Sequence, residues 1–254
     1  RGGHPLAYDA TRLFFGGGGG AGDQDGGQGG AGGNGGGIVY IKAYGTITGS
    51  GNIEANGGDG QGTNPLNQNP SSTNPNRRKG NDGAGGGGAG GAVFIENSTV
   101  IPATINLNAI GGDGGNQNMR VFYQSPLFTF ADEAAGPGGS GAGGSIAFTS
   151  GTPAQNVSAG SNGIVISQRY NSSTGVIPTP TPMMQNFPPN GATNGSVGMG
   201  SLSAPYYDLQ IADITTCVTP VTLTVTVLGT IPSGGTIGWY TQEFGGSTFA
   251  TGTS

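Results

Sequence analysis

A single cysteine, Cys217, stands in 254 residues, so no internal disulfide can form and redox compartment is not readable from cysteine usage. The one histidine, His4, has no second His or Cys at metal-ligand spacing and reads as an exposed or packing side chain. The 8 Lys and Arg are scattered against 13 Asp and Glu, for a net charge of −5, which argues against nucleic acid as a partner. Their one cluster, Arg77-Arg78-Lys79, reads as a solvated loop tip. No apolar run is long enough to span a membrane as a helix. No serine sits in a G-x-S-x-G elbow, since Ser140 in GGSGA lacks the final glycine. The paired carboxylates, Asp23 with Asp25 and Asp132 with Glu133, lack a partner acid at glycosidase spacing. An enzyme is the least supported class, and no cofactor is expected.

What the chain has is glycine: 57 Gly, joined by 16 Pro. That level in an aperiodic sequence means disorder, but the low net charge argues otherwise, and the glycine is not aperiodic. Gly26 to Gly37 reads GGQGGAGGNGGG, with Gln28, Ala31 and Asn34 at every third place. Polyproline-II geometry has about three residues per turn and no internal hydrogen bonds. In a Gly-Gly-X pattern two ridges carry only hydrogen, so neighbouring helices approach closely and bond to one another. The spacing therefore predicts a polyglycine-II array in which three tracts, Gly16–Gly37, Gly83–Gly91 and Gly138–Gly144, lie side by side. The X ridge of Asp25, Gln28, Ala31 and Asn34 is expected to face outward or toward a strand. Collagen inverts the glycine ratio and needs abundant proline, so it is rejected.

An internal repeat organises these tracts. GGIVYIKAYGTITGSGNIEANGGDG from Gly36 aligns without a gap on GGAVFIENSTVIPATINLNAIGGDG from Gly90, an offset of 54. Val39 matches Val93, Tyr40 matches Phe94, Ile41 matches Ile95, Ile47 matches Ile101, Ile53 matches Leu107 and Ala55 matches Ala109. A shorter third copy runs from GGSIAFT at Gly143 to VSAGSNG ending at Gly163. Each copy predicts a glycine tract, a strand (Ile38–Ala43, Val93–Glu96, Ile146–Thr149), a second short strand such as Asn52–Ala55, and a variable excursion. The excursions are Thr63–Lys79 and Asn116–Glu133. After the repeats, VIPTPTPMMQNFPPN carries 5 prolines in 15 residues and reads as an extended connector. Alternation at Leu223, Val225 and Val227, then Ile237 and Trp239, reads as the first strands of an immunoglobulin-like sandwich. The expected organisation is a glycine-rich repeat domain over 1–175, a Pro/Gly-rich linker over 176–208 and a truncated Ig-like segment over 209–254. The fold class is mainly β. Beginning at Arg1 and stopping at Ser254 inside a strand-like pattern, the sequence is expected to be a window of a longer protein.

Two groups of residues qualify as candidate sites. Asp59 and Asp113, in the two GGDG stretches, are candidate calcium ligands because oxygen donors on tight glycine turns suit that ion. The calcium nonapeptide pattern is missing, and the simpler expectation is that each Asp caps its own turn through backbone N–H groups. The aromatic stretch VFYQSPLFTF places Phe122, Tyr123, Phe128 and Phe130 in a candidate contact patch, with packing against a core or a subunit the more ordinary use. The sequons at Asn97, Asn156, Asn171 and Asn194 follow easily from a composition rich in Gly and Ser.

The stretches RLFFGGGGGAG at Arg12, NGGGIVYIKA at Asn34 and TCVTP…GGTIGWYTQEFGGSTFATGTS at Thr216 resemble segments of giant glycine-rich surface adhesins and filament proteins of Bacteroidota. Those proteins are exported by the type IX secretion system and are similar to gliding-motility adhesins. The resemblance implies an extracellular, cell-surface, structural or adhesive protein mediating attachment or gliding, and it carries over no catalytic residues. Self-association, or contact with neighbouring modules of the same long chain, is the expected partnership, with a surface or glycan ligand unspecified. The alternative is a soluble binding module for ice or polysaccharide on a flat face of the glycine bundle. An ice binder calls for a row of Thr along one ridge, where this chain has Asp, Gln, Ala and Asn.

Overall fold

A computed structural model describes residues 2–23, 29–63, 82–122, 136–171, 175–177, 192–211, 224–229, 236–240 and 247–252. Among these residues every regular element is a strand. Strands β1 (Ile38–Ala43), β3 (Ala92–Asn97), β6 (Ser145–Phe148) and β10 (Met199–Ser203) form one sheet in the order β1-β3-β6-β10, each pair parallel. A second parallel sheet takes β2 (Gly51–Glu54), β4 (Ile105–Asn108) and β7 (Ala154–Asn156) in the same order. The register is the repeat itself. Val39 faces Val93, which faces Ile146, and Ile53 faces Leu107.

Apart from Tyr40 and Phe94, the apolar positions that match between repeats point into the space between the two sheets. Val93, Ile95 and Ile146 of the first sheet pack with Leu107, Ile105 and Ala109 of the second, and Ile101 closes one end. Val39, Ile41 and Ile53 of the first repeat sit at the margin of this core and are half-buried. The central β3 is buried at every residue, because its outward Phe94 is covered in turn by Ala10, Ala147, Leu202 and Ala204. A strand covered on both faces reads as a continuous apolar run, as AVFI does.

The glycine stretches extend both sheets. We number them run I (16–23), II (30–37), III (55–63), IV (83–91), V (109–116), VI (136–144), VII (157–164) and VIII (192–198). Runs II, IV, VI and VIII lead into the strands of the first sheet, and runs III, V and VII leave the strands of the second. In run IV all nine N–H groups donate to other runs with a period of three. Gly83, Gly86 and Ala89 bond Asp23, Gly20 and Gly17 of run I, while Ala84, Gly87 and Gly90 bond Gly136, Gly139 and Ala142 of run VI. Gly85, Gly88 and Gly91 bond Gln61, Gly58 and Ala55 of run III. The close approach excludes side chains: a Cβ on Gly85, Gly87 or Gly88 would overlap the backbone of runs II or V.

Three expectations change. The tract Gly16–Gly37 is two antiparallel passes, with Gly16, Gly19 and Gly22 donating to Gly36, Gly33 and Gly30. The GGDG stretches are not tight turns but parts of runs III and V, extended alongside run IV. Residues 192–203, inside the expected linker, supply run VIII and β10, because Gly143 and Met199 bond across this edge to Ser196 and Gly144. Of the outward ridge, Ala31 and Asn34 are exposed as expected, and Asp25 and Gln28 lie outside the described residues.

Runs V and VII continue into β5 (Gln117–Phe122) and β8 (Val165–Asn171), parallel to each other, with β9 (Gly175–Ile177) antiparallel to β8. In the C-terminal part β11 (Tyr207–Ile211) pairs antiparallel with β12 (Val225–Gly229), and β13 (Ile237–Tyr240) with β14 (Thr248–Gly252). Val225, Val227, Ile237 and Trp239 are each half-buried where their neighbours are exposed, the alternation expected of them, and Leu223 lies outside the described residues. Among the described residues these are two separate two-stranded sheets and not a sandwich.

Candidate functional site

Asp59 and Asp113 stand one repeat apart on runs III and V, both exposed. The parallel stacking puts each carboxylate against the backbone of the next repeat. Asp59 Oδ1 accepts from Asp113 N at 2.8 Å, and Asp113 Oδ1 accepts from Ser161 N at 2.7 Å. Neither carboxylate therefore caps its own turn. The same ladder recurs along the face: Asn56 Oδ1 accepts from Ile110 N, Asn116 Oδ1 from Ile164 N, and Asn106 Nδ2 donates to Asn52 Oδ1, each at 2.9 Å. A shallow groove of about 440 Å³ runs between Asp59, Asp113, Asn116 and Ser161. Among the described residues no three His, Cys, Asp or Glu side chains converge to hold a metal ion. The ladder's chemistry is the tying of repeats in register.

Of the four aromatic candidates, one lies among the described residues. Phe122 is the last residue of β5, and Tyr123, Phe128 and Phe130 lie outside the described residues. His4 is exposed, with Nδ1 3.2 Å from Ser196 Oγ. Asn97, first of the sequons, is buried. It donates to Ser150 O at 2.9 Å and accepts from Thr149 N at 3.1 Å, which fixes the corner after β3.

A second cluster lies on the outer face of the first sheet. The repeat register sets Tyr40 beside Phe94 and Lys42 beside Glu96. The rings of Tyr40 and Phe94 stack at 5.7 Å, Tyr40 OH donates to Glu96 Oε1 at 2.9 Å, and Lys42 Nζ lies 3.2 Å from Glu96 Oε2. Lys42 also donates to Tyr207 O at 3.1 Å and sits 4.8 to 5.9 Å from the ring centres of Tyr44, Tyr206 and Tyr207. The lysine thus ties the first residue of β11 to β1 inside an aromatic cage. Burial pulls the Lys42 ammonium down, but the hydrogen bond and charge of Glu96 outweigh it and hold the group above its ordinary value. Burial first, and then Glu96, raise the Tyr40 phenol. Tyr40, Tyr44 and Tyr207 nonetheless stay 52%, 63% and 39% exposed. The alignment held this signal, since YIK in one repeat lies over FIE in the next.

Compared with known protein families, curated proteins and solved structures, the chain matches none. No helix among the described residues is long and apolar enough to cross a membrane.

Proposed function

We propose that this chain is a structural and adhesive protein of an extracellular cell surface, forming a stiff fibre or rod rather than catalysing a reaction. In this reading the runs are polyproline-II-like helices in a polyglycine-II array, and the C-terminal hairpins open an Ig-like module. The observation that carries it is run IV, whose every N–H reaches one of three neighbouring runs in a strict period of three. Each glycine ordered costs about 1–2 kcal/mol of backbone entropy, which bonds on all sides offset and an isolated helix does not. Such an array is stiff and offers proteases and solvents few side chains to attack. The likeness to type IX secretion cargo of Bacteroidota supports export, attachment and gliding as the setting. Self-association or contact with later modules of the same chain follows from the open sheet edges at β1 and β10. Electron microscopy of the native cell surface, with the chain labelled by antibody, is the test: label along filaments supports the reading, and label confined to a dispersed soluble pool sinks it.

A second reading, a polysaccharide-binding module, is favoured by the exposed tyrosines around the Lys42–Glu96 pair. Aromatic faces beside paired hydrogen-bonding groups suit a sugar ring. Titration of the protein with soluble glycans, read by tyrosine fluorescence, separates it from the first.

A further inference from the structure

One set of places in the array requires glycine because each faces the preceding repeat. An added Cβ on Gly85, Gly88 or Gly91 of run IV would stand 1.9–2.1 Å from the carbonyl oxygen of Ala31, Asn34 or Gly37, the same places one repeat earlier. On Gly112 and Gly115 of run V it would stand 2.0 and 2.1 Å from the carbonyl oxygens of Gly58 and Gln61. The five corresponding places in runs VI and VII are again glycine, and there too a Cβ would come within 1.9–2.1 Å of the preceding repeat. Side chains at such places keep two repeats from lying side by side. Run VIII shows the effect on a small scale. Ala192 is its first place of this kind, and beside it Ser140 N reaches Thr193 O only at 3.4 Å, where the equivalent bonds of Gly33 and Gly87 measure 2.8 and 2.9 Å.

In the first repeat these places face away from the stack. Ala31 and Asn34 on run II and Gln61 on run III carry side chains there, all three exposed, while Gly37 and Gly58 stay glycine. A copy stacked on this end in the repeat's register would lay its run VIII beside run II. The Cβ of Asn34 would then fall on the carbonyl oxygen of the copy's Gly195, just as a Cβ on Gly195 would fall 2.2 Å from that of Gly141. Ala31 would press on the run three residues earlier.

At the opposite end a side chain takes a bond that elsewhere belongs to a run. Gly60 N donates to Asp113 O and Gly114 N to Ser161 O, both at 2.8 Å, so runs III, V and VII are bonded in succession. Asn162 is the same place in run VII, and its N–H donates instead to Asn194 Oδ1 of run VIII, also at 2.8 Å. The Asn194 amide thus stands where the carbonyl of a further run would. Val197, 65% exposed, fills the same space. In earlier repeats its place is Gly90 and Gly143, where a Cβ would come 2.3 and 1.9 Å from the carbonyl oxygens of Ala109 and Val157.

We infer that the stack is closed at both ends by side chains, Ala31, Asn34 and Gln61 at one and Asn194 and Val197 at the other, so that copies of the array do not add end to end. The edge strands β1 and β10 lead out of the capped runs II and VIII. A strand that arrives in register with a glycine run of its own is therefore turned away, which protects edges that would otherwise recruit one. The inference rests on the array proposed above and decides between the two partnerships given there. The fibre lengthens by successive modules of one chain and not by stacking of separate copies.

Light scattering over a concentration series tests this by comparing the full chain with its Ala31→Gly/Asn34→Gly variant, amide exchange being read residue by residue. The variant is expected to associate roughly tenfold or more tightly than the wild type, the range that relief of overpacking gives, into species that lengthen with concentration. Both side chains are exposed, so the variant keeps its fold, which slow exchange at Gly85 and Gly88 checks. Equal association of the two chains, whether both stay monomeric or both assemble, overturns the inference. The opposite cap has its own readout. In Asn194→Ala the amide of Asn162 is expected to exchange roughly tenfold faster, while Gly160 and Gly163, bonded to run VI, stay as they were. An unchanged Asn162 amide overturns that half of the inference. Failure of the array shows differently, as fast exchange at Gly85, Gly88 and Gly138 in the wild type.

Discussion

Replacing Gly30 and, separately, Gly37 with alanine is expected to move stability in opposite directions, although both glycines belong to run II. A Cβ on Gly30 falls within the van der Waals envelope of Gln61 O and 2.5 Å from Gly85 N. Those two atoms are bonded to each other at 2.9 Å, and Gly30 itself donates to Gly83 O at 2.9 Å. Non-bonded heavy atoms settle near 3.5–4.0 Å, so runs III and IV must retreat by on the order of 1 Å. The retreat breaks the Gly85–Gln61 bond and stretches the Gly30–Gly83 bond. A buried group left unpaired costs about 1–3 kcal/mol, and the two together cost roughly 2–5 kcal/mol. At Gly37 an added Cβ meets nothing within 4 Å and the backbone φ is not positive. Alanine there restricts the unfolded chain and stabilises by about 0.4–1 kcal/mol. For a chain of this size each kcal/mol moves the melting temperature by about 2–4 °C. Thermal melts of the two variants should thus show a fall of roughly 4–20 °C and a rise of about 1–4 °C, with urea midpoints moving in the same directions. Shifts of the same sign and size would refute the assignment of which glycines touch a neighbour. Gly30→Val against Ala31→Val repeats the contrast with a larger side chain, because Ala31 already faces solvent.

The other expectations concern the core, the cage and calcium. Leu107, fully buried between the sheets, should lose roughly 2–5 kcal/mol on replacement by alanine, measured by urea unfolding. Lys42 and Tyr40 both have folded pKa values raised above 10.5 and 10.0. The stability each contributes is complete below its unfolded pKa and is lost as pH rises through the folded one. Stability should therefore fall as pH climbs past about 10, and the alkaline slope should shrink in Lys42→Met; an unchanged slope would show that the cage does not couple to folding. Adding a chelator should leave the melting temperature where it was, because Asp59 and Asp113 each have an oxygen committed to a backbone N–H of the next repeat. A sharp drop would restore the calcium reading.

The repeat and its register were legible in the sequence because matched apolar residues mark them: Val39, Val93 and Ile146 align in the text and lie side by side in the sheet. Run VIII was hidden, and the reason is its place at the edge of the array. In run IV, Gly85, Gly87 and Gly88 all face a neighbour too closely for a Cβ, so glycine is required almost throughout. In run VIII only Gly195 and Gly198 lie too close to run VI for a Cβ, and the neighbouring places carry Asn194, Ser196 and Val197. Glycine density thus reports how many neighbours a run has, and a lone glycine at every third place is the signal for an edge. The reversal between runs I and II falls between Gly22 and Gly30, where Asp25-Gly26 is a turn signal that the triplet phase of Gln28, Ala31 and Asn34 overrides when the tract is read as one helix. The ladder of Asp59, Asp113 and Ser161 needed the stacking of three repeats, which no local motif displays.

The runs and strands of successive repeats are laid alongside one another, so the chain lengthens across them, as planks added to a deck. A pull applied along that growing axis loads the bonds between neighbouring runs in tension and can part them one run at a time. A pull along the runs would instead have to shear every bond between two neighbours at once. Runs II and IV, for example, are held by the bonds of Gly30, Gly33 and Gly36, supplemented by the β1–β3 ladder. Parting β1 from β3 frees the 54 residues of their register, on the order of 180 Å of extended chain. A tether made this way gives ground under load in steps while the remaining repeats keep their hold.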